Sequence, residues 1–438
     1  MIKKKIGKVL LIVIVVILLL MGIGYYLYPY KNTVDWDKIE NSLYYDVTLE
    51  KGQALEDLEY LVNTISDRHV SSVDGLPDKV SEQYKNEIQN LSENPTVLDV
   101  WRAGSRIVGK LGDAHSKVSY ISDNYEMINI GVKKIDGKFL CTTKEREDEE
   151  LISINKVPIH ELYKKFLSQF SYENSYWAEY NFSRYLRTKR GLNWLGISVN
   201  NSVTVEFKND GVTEIKELKF KENTPSSNNS IGVLPNFVKY KIDKYKKLGI
   251  LRIDSCDFND FYKLELERFF REVKENNIKN IAVDLRFNGG GNSRVVNEFV
   301  RYLPVDEYMD FGCKIRLKSW IYNSKVSMRK NKQYKDLLYD GDIDVLTSNG
   351  TFSSATWFSV LLRDNGLCKI IGEPSGNMPS AYGDILLFEM PHSKLAFTLT
   401  YKQFSRPDVS KHEEDVLMPD YLVESNMAID EFYKLRSK

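Results

Sequence analysis

Two adjacent serines follow a predicted strand and a short turn in the segment DVLTSNGTFSSATWFSVLLRDNG. Ser353 and Ser354 stand where a helical pattern begins, and serine is a favoured N-cap because its hydroxyl binds a free main-chain amide there. The same position would put a hydroxyl nucleophile at the positive end of a helix, beside amides that could stabilise an oxyanion. Taken alone, these residues favour capping and leave nucleophilic catalysis as the alternative.

A turn rich in glycine follows another predicted strand, in the segment IAVDLRFNGGGNSR. Gly289, Gly290 and Gly291 can expose main-chain N–H groups in a tight turn, which suits an anion-binding loop or an oxyanion hole. A phosphate site is weakly indicated, because the P-loop pattern is lacking and Arg294 occupies the third glycine position of GxGxxG. An oxyanion hole would use the same main-chain donors for a different purpose.

A possible base lies in the segment LGDAHSKVSY, where His115 falls in a turn between a predicted helix and a predicted strand. An imidazole with an ordinary pKa near 6.5 can accept a proton at neutral pH. An isolated histidine is more often a surface or capping residue, so spacing alone leaves its role open. The remaining histidines are far apart in the chain, which gives no support for a metal site, and no cofactor is expected.

Hydrophobic patterns divide the chain into domains that would position these segments. The combined helix and strand patterns predict the α/β fold class, in an α+β multi-domain organisation. Residues 31–115 are predicted to form a helical N-terminal domain that ends in the His115 motif. Residues 116–225 show alternating strand patterns of a β-rich module, and the polar stretch 221–230 is typical of a linker. In residues 230–438, short apolar strands alternate with amphipathic helices, which predicts a largely parallel sheet.

The N-terminal segment predicts a membrane anchor. Residues 9–28 carry no charge, and a helix of that length covers about 30 Å, the hydrocarbon thickness of a bilayer. Tyrosines follow the apolar run as an interfacial belt would, which favours an uncleaved anchor over a signal peptide. The lysines before the run predict a cytoplasmic tail within residues 1–30, a single pass through the cell membrane and an extracytoplasmic location for residues 31–438.

Composition narrows the class of protein further. The 438 residues carry 61 Lys plus Arg and 61 Asp plus Glu, a balance that argues against a nucleic-acid-binding protein. With 42% apolar residues, the chain is predicted to fold rather than to remain disordered. The four cysteines are widely spaced and are expected to be single thiols, with two disulfides as the alternative.

Several of these segments together resemble a known family. LGDAHS, VDLRFNGGG, SNGTFSSATWFSVLLRDNG, IIGEPSG and LMPDYLVE occur in the order and approximate spacing of the tail-specific, or C-terminal-processing, serine peptidases and their tricorn-core relatives. The resemblance extends over residues 50–425 and implies a C-terminal peptidase domain of crotonase-like (ClpP-like) type. EELISINKVPIHEL resembles the second half of a PDZ-like module, whose carboxylate-binding loop would survive as a remnant at residues 128–132.

The resemblance implies roles for individual residues. Ser353 falls on the nucleophile position, and the oxyanion donors would be the N–H of Ser354 and an N–H of the glycine turn, Gly289 or Gly290. Met378 occupies the place of the lysine base of the tail-specific branch, which excludes a Ser/Lys dyad. The tricorn-like branch instead uses a histidine and a late glutamate, which would be His115 and either Glu413 or Glu414.

We therefore expect a membrane-anchored serine endopeptidase that hydrolyses extracytoplasmic polypeptides through an acyl-enzyme on Ser353, with His115 as general base. The alternative is a non-catalytic protein that keeps the peptidase fold and uses its cleft to bind a peptide or another ligand. A third interpretation is a structural anchor whose PDZ-like region recruits a partner. The sequence gives no indication of the oligomeric state.

Overall fold

The computed structural model describes residues 2–123, 125–223 and 236–437, without the side chains of residues 2–12, 23 and 223. Most of the predicted linker at 221–230 therefore lies outside the described residues, as do several side chains of the predicted span at 9–28. The first helix, α1, runs Ile2–Leu27. Within the described part of the chain, no helix combines the length and the hydropathy needed to cross a membrane.

Three amphipathic helices follow and pack on one another. Leu58, Leu61 and Ile65 recur at helical spacing and are fully buried. Thr96 begins the last of the three helices with a capping box in which Asp99 is the reciprocal partner, and this helix ends just before the His115 turn. The helices are α2 (Lys51–Arg68), α3 (Asp78–Asn90) and α4 (Val97–Gly109).

The next region is an antiparallel sheet with three helices. The strand Ser202–Asn209 has the alternation that favours a sheet with one buried face, because Val203, Val205 and Phe207 are buried. The sheet order is β3-β4-β5-β7-β8, with β6 paired to β5, and a separate ribbon joins β2 and β9. The elements are β1 (Lys117–Ser119), β2 (Tyr125–Met127), β3 (Val132–Ile135), β4 (Lys138–Cys141), β5 (Glu150–Ile154), β6 (Val157–Pro158), α5 (Ile159–Gln169), α6 (Ser175–Leu186), α7 (Lys189–Trp194), β7 (Ser202–Asn209), β8 (Val212–Lys219) and β9 (Lys221–Asn223).

The C-terminal region contains the predicted parallel sheet, so the α/β prediction for it is confirmed. Its order is β10-β11-β12-β17-β18-β21, and every pair except β10–β11 is parallel. The elements are β10 (Val238–Asp243), β11 (Leu248–Ile253), α8 (Asp260–Glu275), β12 (Asn280–Asp284), α9 (Arg294–Val300), β13 (Glu307–Asp310), β14 (Gly312–Leu317), β15 (Trp320–Ser324), β16 (Ser327–Lys330), β17 (Asp342–Thr347), α10 (Ser354–Asp364), β18 (Lys369–Gly372), β19 (Tyr382–Glu389), β20 (Ala396–Ser405), β21 (Tyr421–Leu422) and α11 (Ala428–Arg436).

A second sheet crosses the predicted boundary between the β-rich module and the C-terminal domain. Strand β1, directly after the His115 turn, pairs antiparallel with β20, so that Lys117 lies opposite Thr398. One hydrophobic core accordingly includes α2, α4, the middle sheet and the β19–β20 residues Leu386, Phe397 and Leu399. The helical and β-rich regions therefore share a core with the C-terminal region, and this pairing brings the His115 turn to the α/β domain.

All four cysteines are free thiols in the structure. Cys141 and Cys256 are buried, whereas Cys313 and Cys368 are partly buried. Burial raises the pKa of the Cys141 thiol to about 11, so this thiol stays protonated at neutral pH. The arrangement agrees with single thiols rather than disulfides.

Candidate active site

Ser353 lies at the junction between the turn after β17 and the start of α10. Its backbone has φ +54° and ψ −127°, a conformation that costs a non-glycine residue about 1–3 kcal/mol and is concentrated at functional sites. The hydroxyl makes no capping hydrogen bond to the helix, so the capping interpretation does not explain this serine. The main chain is held instead by Asn377, whose side-chain oxygen accepts a hydrogen bond from the Ser353 N–H.

The glycine turn packs directly against Ser353. Gly290 has φ +105°, and a β-carbon there would lie 2.5 Å from Ser353 Cβ and 2.9 Å from the Phe352 carbonyl oxygen. Only glycine fits this position, because both the backbone angle and the space exclude a side chain. Gly289 belongs to the same turn, and a β-carbon there would meet no atom within 4 Å.

The N–H groups of Gly290 and Ser354, two of the predicted oxyanion donors, differ in their present partners. The Gly290 N–H donates to Asn288 Oδ1 at 2.8 Å, so it must share or release this bond to stabilise an oxyanion. The Ser354 N–H is in the first turn of α10, where amides have no acceptor within the helix. The Ser354 hydroxyl donates to the Gly291 carbonyl at 2.6 Å, which ties the helix to the glycine turn.

The His115 turn is organised by a buried carboxylate that the sequence patterns did not single out. Asp113 accepts hydrogen bonds from the His115 N–H at 2.8 Å, from Thr400 Oγ1 at 2.7 Å and from the Ser116 hydroxyl. Burial alone would raise the pKa of Asp113, but the hydrogen bond from His69 and the charges of His69 and His115 outweigh it and lower the pKa to about 2. Asp113 is therefore ionised at neutral pH.

The His115 ring lies beside the residue that precedes Ser353. Its centroid is 4.6 Å from that of Phe352, and Trp177 stacks on Phe352 at 4.0 Å. Both ring nitrogens of His115 are buried and have no hydrogen-bond partner among the described residues, while Nδ1 is 3.9 Å from Asp113 Oδ1. Burial is the main cause that lowers the pKa of His115, so the ring is neutral and able to accept a proton.

A second buried carboxyl group completes this cluster. Glu173 Oε2 accepts hydrogen bonds from Asn377 Nδ2 at 2.9 Å and from the Met378 N–H at 3.2 Å, whereas its Oε1 has no described partner. Burial, followed by the charge of Asp113, raises the pKa of Glu173 to about 8. Asn377 thus joins Glu173 to the main chain of Ser353.

The cluster could also be considered as a metal site. Asp113, His115 and Glu173 each offer one ligand atom, all within 4.8 Å of one another. Tetrahedral zinc ligands lie about 3.4 Å apart, and Asp113 already accepts several hydrogen bonds. A metal ion would therefore compete with these donors for Asp113.

The two late glutamates predicted to orient His115 are elsewhere. Glu413 and Glu414 are both exposed, in the segment after β20. Glu414 pairs with Arg406 at 2.8 Å, and among the described residues only Asp113 lies within ion-pair distance of His115. The structure therefore corrects this prediction: the carboxyl groups near His115 are Asp113 and Glu173.

The sequence carried a signal for some of the missed residues. Asp113 stands two residues before His115 in LGDAHS, a spacing that lets a carboxylate accept the histidine main-chain N–H. Asn377 directly precedes Met378, which occupies the place of the lysine base in the tail-specific branch. Glu173, in FSYENSYW, had no such signal, because only the fold brings the loop between α5 and α6 to the site.

Part of the chain matches a known family, and most of the chain resembles solved structures. Residues 247–423 match Peptidase family S41. The structure of mature CPAF has a TM-score of 0.68 at 15% identity, covering 88% of this chain and 97% of that chain. Mature CPAF complexed with lactacystin has a TM-score of 0.67 at 16% identity, covering 88% and 98% respectively. No curated protein sequence matches the chain.

These findings confirm the prediction of a serine-type peptidase. The family match covers the parallel strands of the C-terminal sheet together with Ser353 and the glycine turn, and the likeness to CPAF extends the shared fold over most of the chain.

Proposed function

We propose that the chain is a membrane-anchored serine endopeptidase that cleaves extracytoplasmic polypeptides through an acyl-enzyme on Ser353. The observation that carries this proposal is the backbone of Ser353, which is held at φ +54° without a capping bond and against Gly290. A hydroxyl fixed in this way beside main-chain donors suits nucleophilic attack and has no evident structural purpose.

The proposed mechanism assigns the base to His115. Ser353 Oγ attacks the scissile carbonyl while His115 accepts its proton, and the protonated imidazole then donates that proton to the leaving amine. Water, deprotonated by the same imidazole, cleaves the ester and restores the Ser353 hydroxyl. Asp113, ionised and 3.9 Å from Nδ1, would orient the ring and stabilise the imidazolium.

The oxyanion would be held by the Ser354 N–H together with an N–H of the glycine turn. Donors of this kind act on the charge that develops in the transition state, and removal of one costs about 10²–10³ in kcat. Gly290 can contribute if the substrate oxygen takes the place of Asn288 Oδ1 as acceptor, and Gly289 is the adjacent alternative.

The proposal is tested with the full chain in detergent. Ser353→Ala should abolish both casein hydrolysis and labelling by a serine-reactive phosphonate. The matched control is Ser359→Ala on the same helix, because the Ser359 hydroxyl donates only to the Ala355 carbonyl within α10. Peptide binding without any cleavage by the wild-type chain would favour the alternative, a non-catalytic binding protein.

We also propose that residues 9–28 anchor the protein in the cell membrane, with a cytoplasmic N-terminus. The uncharged sequence and the preceding lysines support this orientation. The segment just after the helix docks on the folded body, since Arg68 donates to the carbonyls of Pro29 at 3.2 Å and Lys31 at 3.0 Å. Resistance of the membrane-bound chain to carbonate extraction, with cleavage of its C-terminal region by external protease, would support the anchor and its direction.

We also propose that the middle module is a degenerate PDZ-like module. In the stretch 128–132, the Ile128 N–H donates to the Arg187 carbonyl at 2.8 Å and the Val132 N–H to Ser183 Oγ at 2.9 Å. These amides are therefore occupied and do not form a free carboxylate cradle. Binding of C-terminal peptides to this module, abolished by C-terminal amidation, would show that it still recognises tails.

A further inference from the structure

A basic cleft lies beside the catalytic histidine turn. Its volume is about 430 Å³, and its wall includes Ala114, which precedes His115, and Trp177, which stacks on Phe352 next to Ser353. Four basic side chains line it: Lys117, Arg184, Arg187 and Arg190. The cleft therefore opens next to the reacting groups and presents positive charge.

The four cations have no acidic partner. Within the described residues, none of them has a carboxylate oxygen within 4.0 Å, whereas most arginines elsewhere in the chain form such pairs. Arg190 instead lies over the Tyr125 ring at 5.2 Å, and Arg184 over the Tyr180 ring at 5.7 Å. The nearby Glu126 is bound to Lys189 at 2.7 Å and does not neutralise the cleft.

The cations also disfavour one another. Desolvation lowers the pKa of Lys117, and the charge of Arg184 lowers it further. An anion entering the cleft would relieve this repulsion, and it would do so in a partly desolvated place where Coulomb attraction exceeds that in bulk water.

We propose that this cleft is a substrate subsite that binds an acidic side chain, Asp or Glu, of the polypeptide near the scissile bond. The inference rests on the proposed peptidase function and specifies which substrates the site takes. Charge complementarity supports the occupant, because the cleft presents four basic side chains to an entering carboxylate. The aromatic side chains of Tyr120, Tyr125 and Trp177 would pack on the methylene part of the bound residue.

The first experiment measures side-chain preference. Cleavage sites in denatured casein are mapped by mass spectrometry, and peptides covering the preferred site are made with both ends blocked and with either Glu or Gln at the acidic position. We expect the wild-type chain to cleave the Glu peptide with at least a tenfold higher kcat/KM. Cleavage sites without nearby acidic residues, or equal rates for Glu and Gln, would overturn the proposal.

The second experiment assigns the preference to the cleft. Arg184→Glu should remove the preference for Glu and favour a Lys peptide. Lys244→Glu is the matched control, because it makes the same charge change at an exposed turn between β10 and β11, and it should keep the wild-type preference. An unchanged preference in Arg184→Glu would contradict the assignment.

Two further measurements distinguish binding of a chain terminus from failure of the peptidase function itself. Peptides without acidic side chains are cleaved with either a free or an amidated C-terminus. If Arg184→Glu changes only the difference in kcat/KM between these two forms, the cleft binds a chain terminus and the side-chain assignment is wrong. If no peptide is cleaved and Ser353 is not labelled, the proposed function fails. In that case, peptide binding to the cleft is measured by fluorescence anisotropy with the Ser353→Ala chain. Tighter binding of the Glu peptide than of the Gln peptide, with the difference lost when Arg184→Glu is added, supports the proposed subsite. Equal binding of the two peptides overturns it.

Discussion

The main-chain N–H of Ser353 donates a hydrogen bond to the side-chain oxygen of Asn377, and the Asn377 amide in turn donates to Glu173 at 2.9 Å. The strained backbone of the proposed nucleophile is thereby fixed to a buried carboxyl group on a distant loop. Asn377→Ala should lower kcat/KM by about 10–100-fold and the free energy of unfolding by about 1–3 kcal/mol, because two buried groups lose their partner. Peptide hydrolysis and urea unfolding measure the two effects.

Asn365→Ala provides the control for this variant. Asn365 also makes buried main-chain hydrogen bonds, to Met309 at 2.8 and 3.0 Å, but it lies at the far end of α10. It should cost similar stability while leaving kcat/KM near the wild-type value. A comparable loss of activity in both variants would mean that Asn377 acts only through stability.

The close approach of Gly290 to Ser353 makes a second prediction. In Gly290→Ala, the new methyl group would meet Ser353 Cβ at 2.5 Å, so Ser353 or the turn must move. We expect at least a 100-fold loss of kcat and slow labelling by the phosphonate, because a displaced nucleophile no longer aligns with its donors. Steady-state kinetics and labelling rates test this.

Gly211→Ala isolates the backbone cost from the collision. Gly211 has φ +83° but no atom within 4 Å of its would-be β-carbon, in the hairpin between β7 and β8. It should cost about 1–2 kcal/mol of stability from the left-handed backbone and leave activity unchanged. Full activity in Gly290→Ala would show that the turn is not part of the site.

Local patterns were sufficient to predict the parallel sheet, the N-terminal helices and the serine and glycine segments. Leu58, Leu61 and Ile65 repeat at helical spacing and are buried on one face, as the sequence indicates. Ser353 and Gly290 each follow a strand of the same parallel sheet, so their proximity follows from the rule that the carboxyl ends of parallel strands share an edge.

The Glu173 carboxyl group near His115 could not be predicted in the same way. Glu173 reaches the site because its loop packs between the His115 turn and the segment after β18, where Asn174 donates to the Gly376 carbonyl at 3.2 Å. Such long-range packing leaves no periodic trace in the sequence. Likewise, the pairing of β1 with β20 joins residues that are far apart in the chain, and strand patterns do not specify partners.

The competing carboxylates can be separated by substitution. Glu413→Gln and Glu414→Gln should keep kcat/KM within about threefold of wild type. Among the described residues, neither side chain lies within ion-pair distance of His115, and Glu414 pairs with Arg406 instead. Glu173→Ala should lose much more activity, because it leaves the buried Asn377 amide and the Met378 N–H without an acceptor. A large loss in Glu413→Gln or Glu414→Gln would restore the sequence-based assignment.

Asp113 should make stability depend on pH in the acid range. Its folded-state pKa of about 2 lies below the ordinary value of 3.8, so its ionised form stabilises the fold above about pH 4, and this contribution is lost as the pH falls towards 2. Asp113→Asn should lower the free energy of unfolding at pH 7 by about 2–4 kcal/mol, with a smaller difference at pH 3 and below. Urea unfolding at pH 7, 5 and 3 tests this, and a pH-independent difference would contradict it.

The pH dependence of catalysis should report His115. Because burial lowers the pKa of its ring, the acid limb of kcat/KM should lie below pH 6.5, where an ordinary imidazole would already be protonated and unable to act as a base. The positive charge of Lys117 also lowers this pKa, so Lys117→Met should move the acid limb to higher pH. Both variants are measured with a peptide that has no acidic residue. Lys244→Met should leave the acid limb in place, since the Lys244 side chain is exposed and does not line the cleft. If the wild-type limb lay at or above pH 6.5, or if Lys117→Met did not shift it, another group would be the base.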